Sequence, residues 1–304
     1  MRKRIYISAA ALMLTLVLCV SMMLPIAAEG SDPVAENFEF ETYRGTSFGG
    51  QLSAVDPDGD TLRYEITTDP VKGTITVDEN GAFVYAPFED SKGRDYFGYK
   101  AIDSEGNTSQ EATVIIKLIK AKKAISYADM VGDPGYYSAV KLAECGAFVG
   151  QRIGGIYYFE PDRTLTRGEF LSMCLEATGA DILSGVVSTG FSDDADIPDW
   201  EKSYVSTAVK CGIVKGHVSG GSAAFDSDKE ISRAEAMVML SRALQLTDVS
   251  YVNLDKSIPS WAAQSAANLT ACNVAITTFS MNNPLTRVEA ARMLASAMDL
   301  IETR

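Results

Sequence analysis

Between residues 34 and 119 apolar and polar positions alternate with a period of two, in short runs rich in Phe, Tyr, Val, Ile and Thr. Turn clusters such as Asp56-Pro57-Asp58-Gly59-Asp60 and Asp78-Glu79-Asn80-Gly81 separate the runs. The second cluster lies between Thr74-Ile75-Thr76-Val77 and Ala82-Phe83-Val84-Tyr85, which predicts a hairpin. Ala112 to Leu118 reads as a closing strand, and regular short strands over this length predict an all-β sandwich. After Lys120-Ala121-Lys122-Lys123 the apolar spacing becomes helical, so a boundary is expected there, with the sandwich at 29–120 and a helical half at 121–304.

The helical half is an internal repeat. Its marks are Thr166-Arg167-Gly168-Glu169, Ser232-Arg233-Ala234-Glu235 and Thr286-Arg287-Val288-Glu289, 66 and 54 residues apart. Seven residues before each mark stands an aromatic, Phe159, Phe225 or Phe279. Trp200 and Trp261 each stand twelve residues before a helix-ending position, Gly212 and Asn273. Three helix–loop–helix units follow, at about 124–180, 188–246 and 250–301. Trp200, Tyr204, Ala208 and Cys211 share one face, as do Phe170, Cys174 and Leu175, and Met237, Leu240 and Leu244. One such pair buries too little alone, so an all-α packing of three is expected.

A Ser or Thr followed three residues later by Glu is a capping box, which accounts for the first and last residue of each mark. The arginines need another reason. Arg167, Arg233 and Arg287 fall at the first helical position, where the helix dipole disfavours a cation by roughly 0.3–1 kcal/mol. Two readings compete. Each arginine pairs with a carboxylate, such as Asp129, Asp193 or Asp255 at the start of a unit, or each presents a five-donor fork to a carboxylate-bearing ligand. On the second reading replacing an arginine costs little stability.

Charge and composition narrow the function. Forty acids against 27 bases give a net charge of −13, the wrong sign for neutralising phosphates, so nucleic acid is excluded as a partner. The one histidine, His217, leaves little for imidazole catalysis or a multi-histidine metal site, and no catalytic residue is predicted. Arg2, Lys3 and Arg4, then an apolar run to Leu24, then Pro25 and Ala27-Ala28, read as a signal peptide over 1–28. Cleavage after Ala28 takes three bases and no acid, leaving −16 on an exported chain without a membrane segment; the other reading is an uncleaved anchor, since the apolar run is about as long as the ~20 residues that span a bilayer. Residues 29–120 hold 18 acids and 8 bases, so the sandwich carries most of the acidity. Cys145, Cys211 and Cys272 occupy matching repeat positions, which favours small buried thiols for these and Cys174 over a disulfide framework.

The three marks, the Phe191-Ser192-Asp193 motif and the Trp-to-Gly helix resemble the S-layer homology (SLH) domain family over about residues 124–301. That resemblance implies a three-pronged pseudo-trimer whose grooves hold an anionic secondary cell-wall polysaccharide without covalent attachment. It implies Arg167, Arg233, Arg287, Asp129, Asp193, Asp255, Trp200 and Trp261 as the carbohydrate-binding residues. Unit one departs with Pro134 at the tryptophan position and Tyr136 and Tyr137 as stand-ins. Unit three has Asn273 and Thr277 in place of glycines and only two residues from Thr277 to Phe279, so its pocket and Arg287 are expected to matter least. The sandwich resembles the cadherin-like and immunoglobulin-like repeats of bacterial surface proteins, in its Asp-Pro-Asp-Gly-Asp run and in Gly93 to Asp103. Asp56, Asp58 and Asp60 place oxygens at alternate positions, which suits either a solvated turn or calcium. The function expected is a non-catalytic wall-anchored protein with the sandwich as spacer or interaction module. The alternative is a calcium-dependent adhesion or lattice protein.

Overall fold

The computed structural model describes residues 30–219, 221–250, 257–274 and 280–303. The signal-peptide reading of 1–28, and the readings that fall on Asp255, Thr277 and Phe279, lie outside the described residues.

The N-terminal half contains β1 (Val34–Ala35), β2 (Phe38–Tyr43), β3 (Phe48–Gln51), β4 (Ala54–Val55), β5 (Arg63–Thr68), β6 (Gly73–Val77), β7 (Ala82–Pro87), β8 (Gly93–Ile102) and β9 (Ala112–Ile119). One sheet runs β2-β9-β8-β5 and a second β3-β7-β6, with β1 and β4 paired apart. The predicted hairpin is β6–β7, in register Val77↔Phe83. Its turn is held by Asp78 Oδ1, which accepts from the amides of Asn80 and Ala82 at 2.9 Å. Alternation does the rest. Phe83 and Tyr85 from one sheet meet Phe97, Tyr99, Val114 and Ile116 from the other, all buried. Phe83 and Phe97 touch edge to face at 5.6 Å.

The C-terminal half contains α1 (Tyr136–Cys145), α2 (Arg167–Ala177), α3 (Asp199–Lys210), α4 (Arg233–Ala243), α5 (Ala263–Ala271) and α6 (Arg287–Glu302), two per unit. All three marks form complete capping boxes. Thr166 Oγ1 accepts from the Glu169 amide at 3.2 Å while Glu169 Oε2 accepts from the Thr166 amide at 3.1 Å, and Ser232/Glu235 and Thr286/Glu289 repeat the pattern. The three entry strands close on one another in a ring. The Leu165 amide donates to Leu285 O at 3.0 Å, Leu285 to Ile231 O at 2.8 Å, and Ile231 to Leu165 O at 3.0 Å. Each unit therefore hands its backbone to the next, and the third returns to the first.

The all-α expectation for this half is corrected. A hairpin interrupts unit one as β10 (Gln151–Ile153) and β11 (Ile156–Tyr158), and another interrupts unit two as β12 (His217–Ser219) and β13 (Ser222–Ala224). Gly154 and Gly155 both take positive φ, 59° and 89°, the geometry of a primed two-residue turn. Three-residue strands carry too short an alternation to read from sequence. The shared face proposed for α3 is also corrected: Val205 and Ala208 enter the core, while Trp200 stays 55% exposed and Cys211 is exposed. Of the thiols, all free, Cys174 is buried, Cys272 half-buried and Cys145 exposed, so the buried-thiol reading holds fully for Cys174 alone.

The sandwich keeps its own core, and Tyr43 joins the core of the helical half. Tyr43 stacks on Tyr137 at 5.4 Å, and Phe48 meets the same ring edge on at 5.4 Å. Backbone bonds tie β3 to the start of unit one: Gly49 N to Pro134 O at 2.9 Å and Tyr137 N to Ser47 O at 3.1 Å. Gly49 lies against Pro134 so closely that a Cβ there would fall 2.9 Å from the Pro134 carbonyl oxygen.

Candidate functional site: two open grooves at the unit boundaries

Each arginine leaves its own helix and crosses to the next unit, which resolves its conflict with the helix dipole. Arg167 donates to Phe225 O at 3.1 Å and to Glu235 at 2.7 Å; Arg233 donates to Glu289 at 2.7 Å and to Ser280 O at 3.4 Å. Arg287 closes the ring by donating to Phe159 O at 2.5 Å and Glu160 at 2.9 Å in unit one. Its guanidinium lies 4.7 Å over the Phe148 ring, at 1% exposure, and its Nε has no partner among the described residues. The other two side chains keep 13% and 14% of their surface.

The aspartates do a different task. Asp129 accepts from the Phe159 and Glu160 amides at 2.9 and 2.7 Å, and Asp193 from those of Phe225 and Asp226 at 2.9 and 2.7 Å. They hold the openings of units one and two against the segment before the mark rather than pairing with an arginine. The glutamate of the capping box takes that part in units two and three, a role that sequence spacing within one unit does not reveal.

Among the described residues two grooves of one design result. The first, about 400 Å³, is walled by the loop Gly146–Gly150, by Glu169, Ser172, Met173 and Glu176 of α2, and by Trp200 and Tyr204 of α3. The second, about 240 Å³, is walled by Ile213–Gly216, by Glu235, Val238, Met239 and Arg242 of α4, by Arg167 and by Trp261. Each tryptophan thus serves the groove of the preceding unit. Trp261 is 57% exposed, and Trp200 meets Tyr204 edge on at 6.3 Å. Tyr136 and Tyr137 are buried in the core, so they do not stand in for a groove tryptophan. Where that tryptophan belongs unit one offers Pro134, which stays exposed beside Gly49 of the sandwich. The expectation that Arg287 shares the fate of unit three is also revised, because Arg287 faces unit one and Arg233 faces unit three.

In the sandwich, Asp56 Oδ1 accepts from the amides of Asp58 and Asp60 at 2.9 and 3.1 Å. Asp58 accepts from the Ser31 amide at 2.6 Å and Asp60 from the Ser104 hydroxyl at 3.0 Å. One oxygen of each carboxylate is thereby engaged, Asp56 Oδ2 is buried without a partner among the described residues, and among them no group of three His, Cys, Asp or Glu is placed to hold a metal ion.

The architecture is that of a surface protein pairing a β-sandwich with a repeat that carries grooves. Residues 31–120 match the bacterial cadherin-like domain and residues 190–237 match the S-layer homology domain. Among curated proteins the chain is similar to the surface-layer 125 kDa protein of Lysinibacillus sphaericus, 28% identical over 133 residues, 43% of this chain and 11% of that protein. It is similar to the middle cell wall protein of Brevibacillus brevis, 27% identical over 208 residues, 67% of this chain and 18% of that protein. An amylopullulanase of Thermoanaerobacterium thermosulfurigenes is 32% identical over 155 residues, 46% of this chain and 8% of that protein. The chain spans less than a fifth of the length of these relatives. It carries the two domains of a secreted, cell-surface anchoring protein, and among the described residues no helix is long and apolar enough to cross a membrane.

Proposed function

We propose that the protein is a non-catalytic anchor that binds a secondary cell-wall polysaccharide through the two open grooves formed among the described residues, with the sandwich held as a fixed interaction module. The observation that carries this reading is the repetition of one groove at two unit boundaries, each with a half-exposed tryptophan on one wall and hydrogen-bonding side chains on the other. An aromatic face beside a few placed polar groups suits a sugar ring, which is apolar on its faces and polar at its rim. The amylopullulanase match covers 8% of that protein, too small a share to transfer an activity.

The test is co-sedimentation of the mature chain with purified wall sacculi, before and after the secondary polymer is stripped. Binding is expected only to unstripped sacculi, and Trp200→Ala with Trp261→Ala together should abolish it. Equal sedimentation of the double variant, or binding to stripped walls, would overturn the reading. The full chain is used because cutting near residue 120 would expose Tyr43 and Tyr137.

A further inference from the structure

We propose that the two grooves read different sugars: the groove of unit two takes an acidic residue of the glycan, and the groove of unit one takes a neutral or amino sugar. This rests on the polysaccharide reading above and adds the chemistry of each site.

The grooves share a scaffold and differ at equivalent positions. Ten residues beyond the capping residue stands Glu176 in unit one and Arg242 in unit two. Three residues past the helix-ending glycine stands Val149 in one and Lys215 in the other. The arginine arriving from the neighbouring unit is Arg167 in groove two, at 13% exposure, while in unit one it is Arg287, sealed at 1% under Phe148. Unit two has the smaller Val214 where Phe148 stands, which leaves Arg167 on the groove wall. The capping-box glutamates do not discriminate, since Arg163 holds Glu169 and Arg167 holds Glu235, both at 2.7 Å. Groove two is therefore lined by Arg167, Lys215 and Arg242 against Glu235, and groove one by Glu169 and Glu176 with no Lys or Arg in its walls.

Both discriminating groups are positioned. Arg242 lines the groove and donates from Nη1 to Ile213 O at 3.0 Å, and the remaining donors of its planar fork match a carboxylate. Glu176 accepts the Tyr204 hydroxyl on Oε1 at 2.7 Å, leaving Oε2 for a sugar hydroxyl, amide or ammonium donor.

The two tryptophans of the chain sit one in each groove, so fluorescence can read the grooves separately. The full chain carrying Trp200→Phe reports groove two, and Trp261→Phe reports groove one. Each is titrated with a disaccharide ending in glucuronic acid and with the glucosamine disaccharide. The acidic disaccharide should perturb Trp261 at about tenfold lower concentration than Trp200, and the glucosamine disaccharide should show the reverse order, as expected for a gained or lost hydrogen bond to a charged group. Arg242→Gln should weaken the acidic response at Trp261 about tenfold and leave Trp200 unchanged; Glu176→Gln should do the converse. Equal affinities of both sugars at both indoles, or silence of both, would overturn the assignment. If wild type sediments with sacculi and yet shows no charge preference, only this inference fails; if it does not sediment, the polysaccharide reading fails first.

Discussion

Arg287→Ala separates a locking role from a ligand-clamping one at the position where the two are hardest to tell apart from sequence. The side chain is 1% exposed and joins the last helix of the chain to unit one through Phe159 O and Glu160, with Phe148 packed on its guanidinium. Removing one partner of a buried ion pair costs about 3–5 kcal/mol. The Glu160 side chain keeps 41% of its surface in water, where the orphaned carboxylate can be solvated, which moves the figure to the low end, about 3 kcal/mol. Over the whole helical half each kcal/mol lowers Tm by about 2–4 °C, so calorimetry should record a fall of roughly 6–12 °C. Arg233→Ala, from a side chain 14% exposed, should fall less. This follows the reading in which each arginine pairs with a carboxylate, with a glutamate of the neighbouring unit in place of an aspartate of its own, because the guanidinium does not stay at its own helix end. A variant that melts within about 2 °C of wild type but no longer sediments with sacculi would refute the reasoning and make Arg287 a ligand clamp.

Ser232→Ala should cost about 1 kcal/mol by removing an N-cap, seen as a small drop in Tm with polysaccharide binding retained. Gly168→Ala should destabilise by about 1–3 kcal/mol, since its Cβ would strike Glu201 and Ser227. The equivalent residues at the next boundary are Ala234 and Ala262, both buried, so adding Glu201→Ala to Gly168→Ala should restore much of the loss in a thermal double-mutant cycle. Burial pushes the Glu201 carboxyl above its ordinary value, against a hydrogen bond from Ser227 that lowers it, with Glu169 raising it further. A raised acid binds its proton more tightly in the native state, so its contribution is complete below about pH 4.5 and is lost as pH rises through the higher native value. Glu201→Gln should remove that part of the pH dependence of Tm, and a profile identical to wild type would show the carboxyl to be unstrained. Asp194 is the opposite case. Thr189 amide and hydroxyl donors, then Lys202, hold it down at about 2, so its stabilisation is present above the ordinary carboxylate range and lost as pH falls toward 2. Asp194→Asn should blunt the acid limb of unfolding.

The period-two alternation, the hairpin between Val77 and Ala82 and the three capping boxes were legible along the chain because each rests on contacts between residues close in sequence. The repeat marked three helix pairs for the same reason. What the marks do to one another was not legible, since Arg167 meets Glu235 and Arg287 meets Glu160 across 68 and 127 residues, and one-dimensional spacing cannot tell which copy a side chain reaches. The stripe of Trp200, Tyr204 and Ala208 has helical period whether it faces a core or a cleft. Only the closure of Leu165, Ile231 and Leu285 into a ring turns the tryptophans outward over their neighbours' loops. Pro134 likewise reads as a lost aromatic until its carbonyl is seen accepting from Gly49 of the sandwich. Local chemistry set the elements, and the long-range ring and the docking of β3 decided which of their faces remained open as grooves.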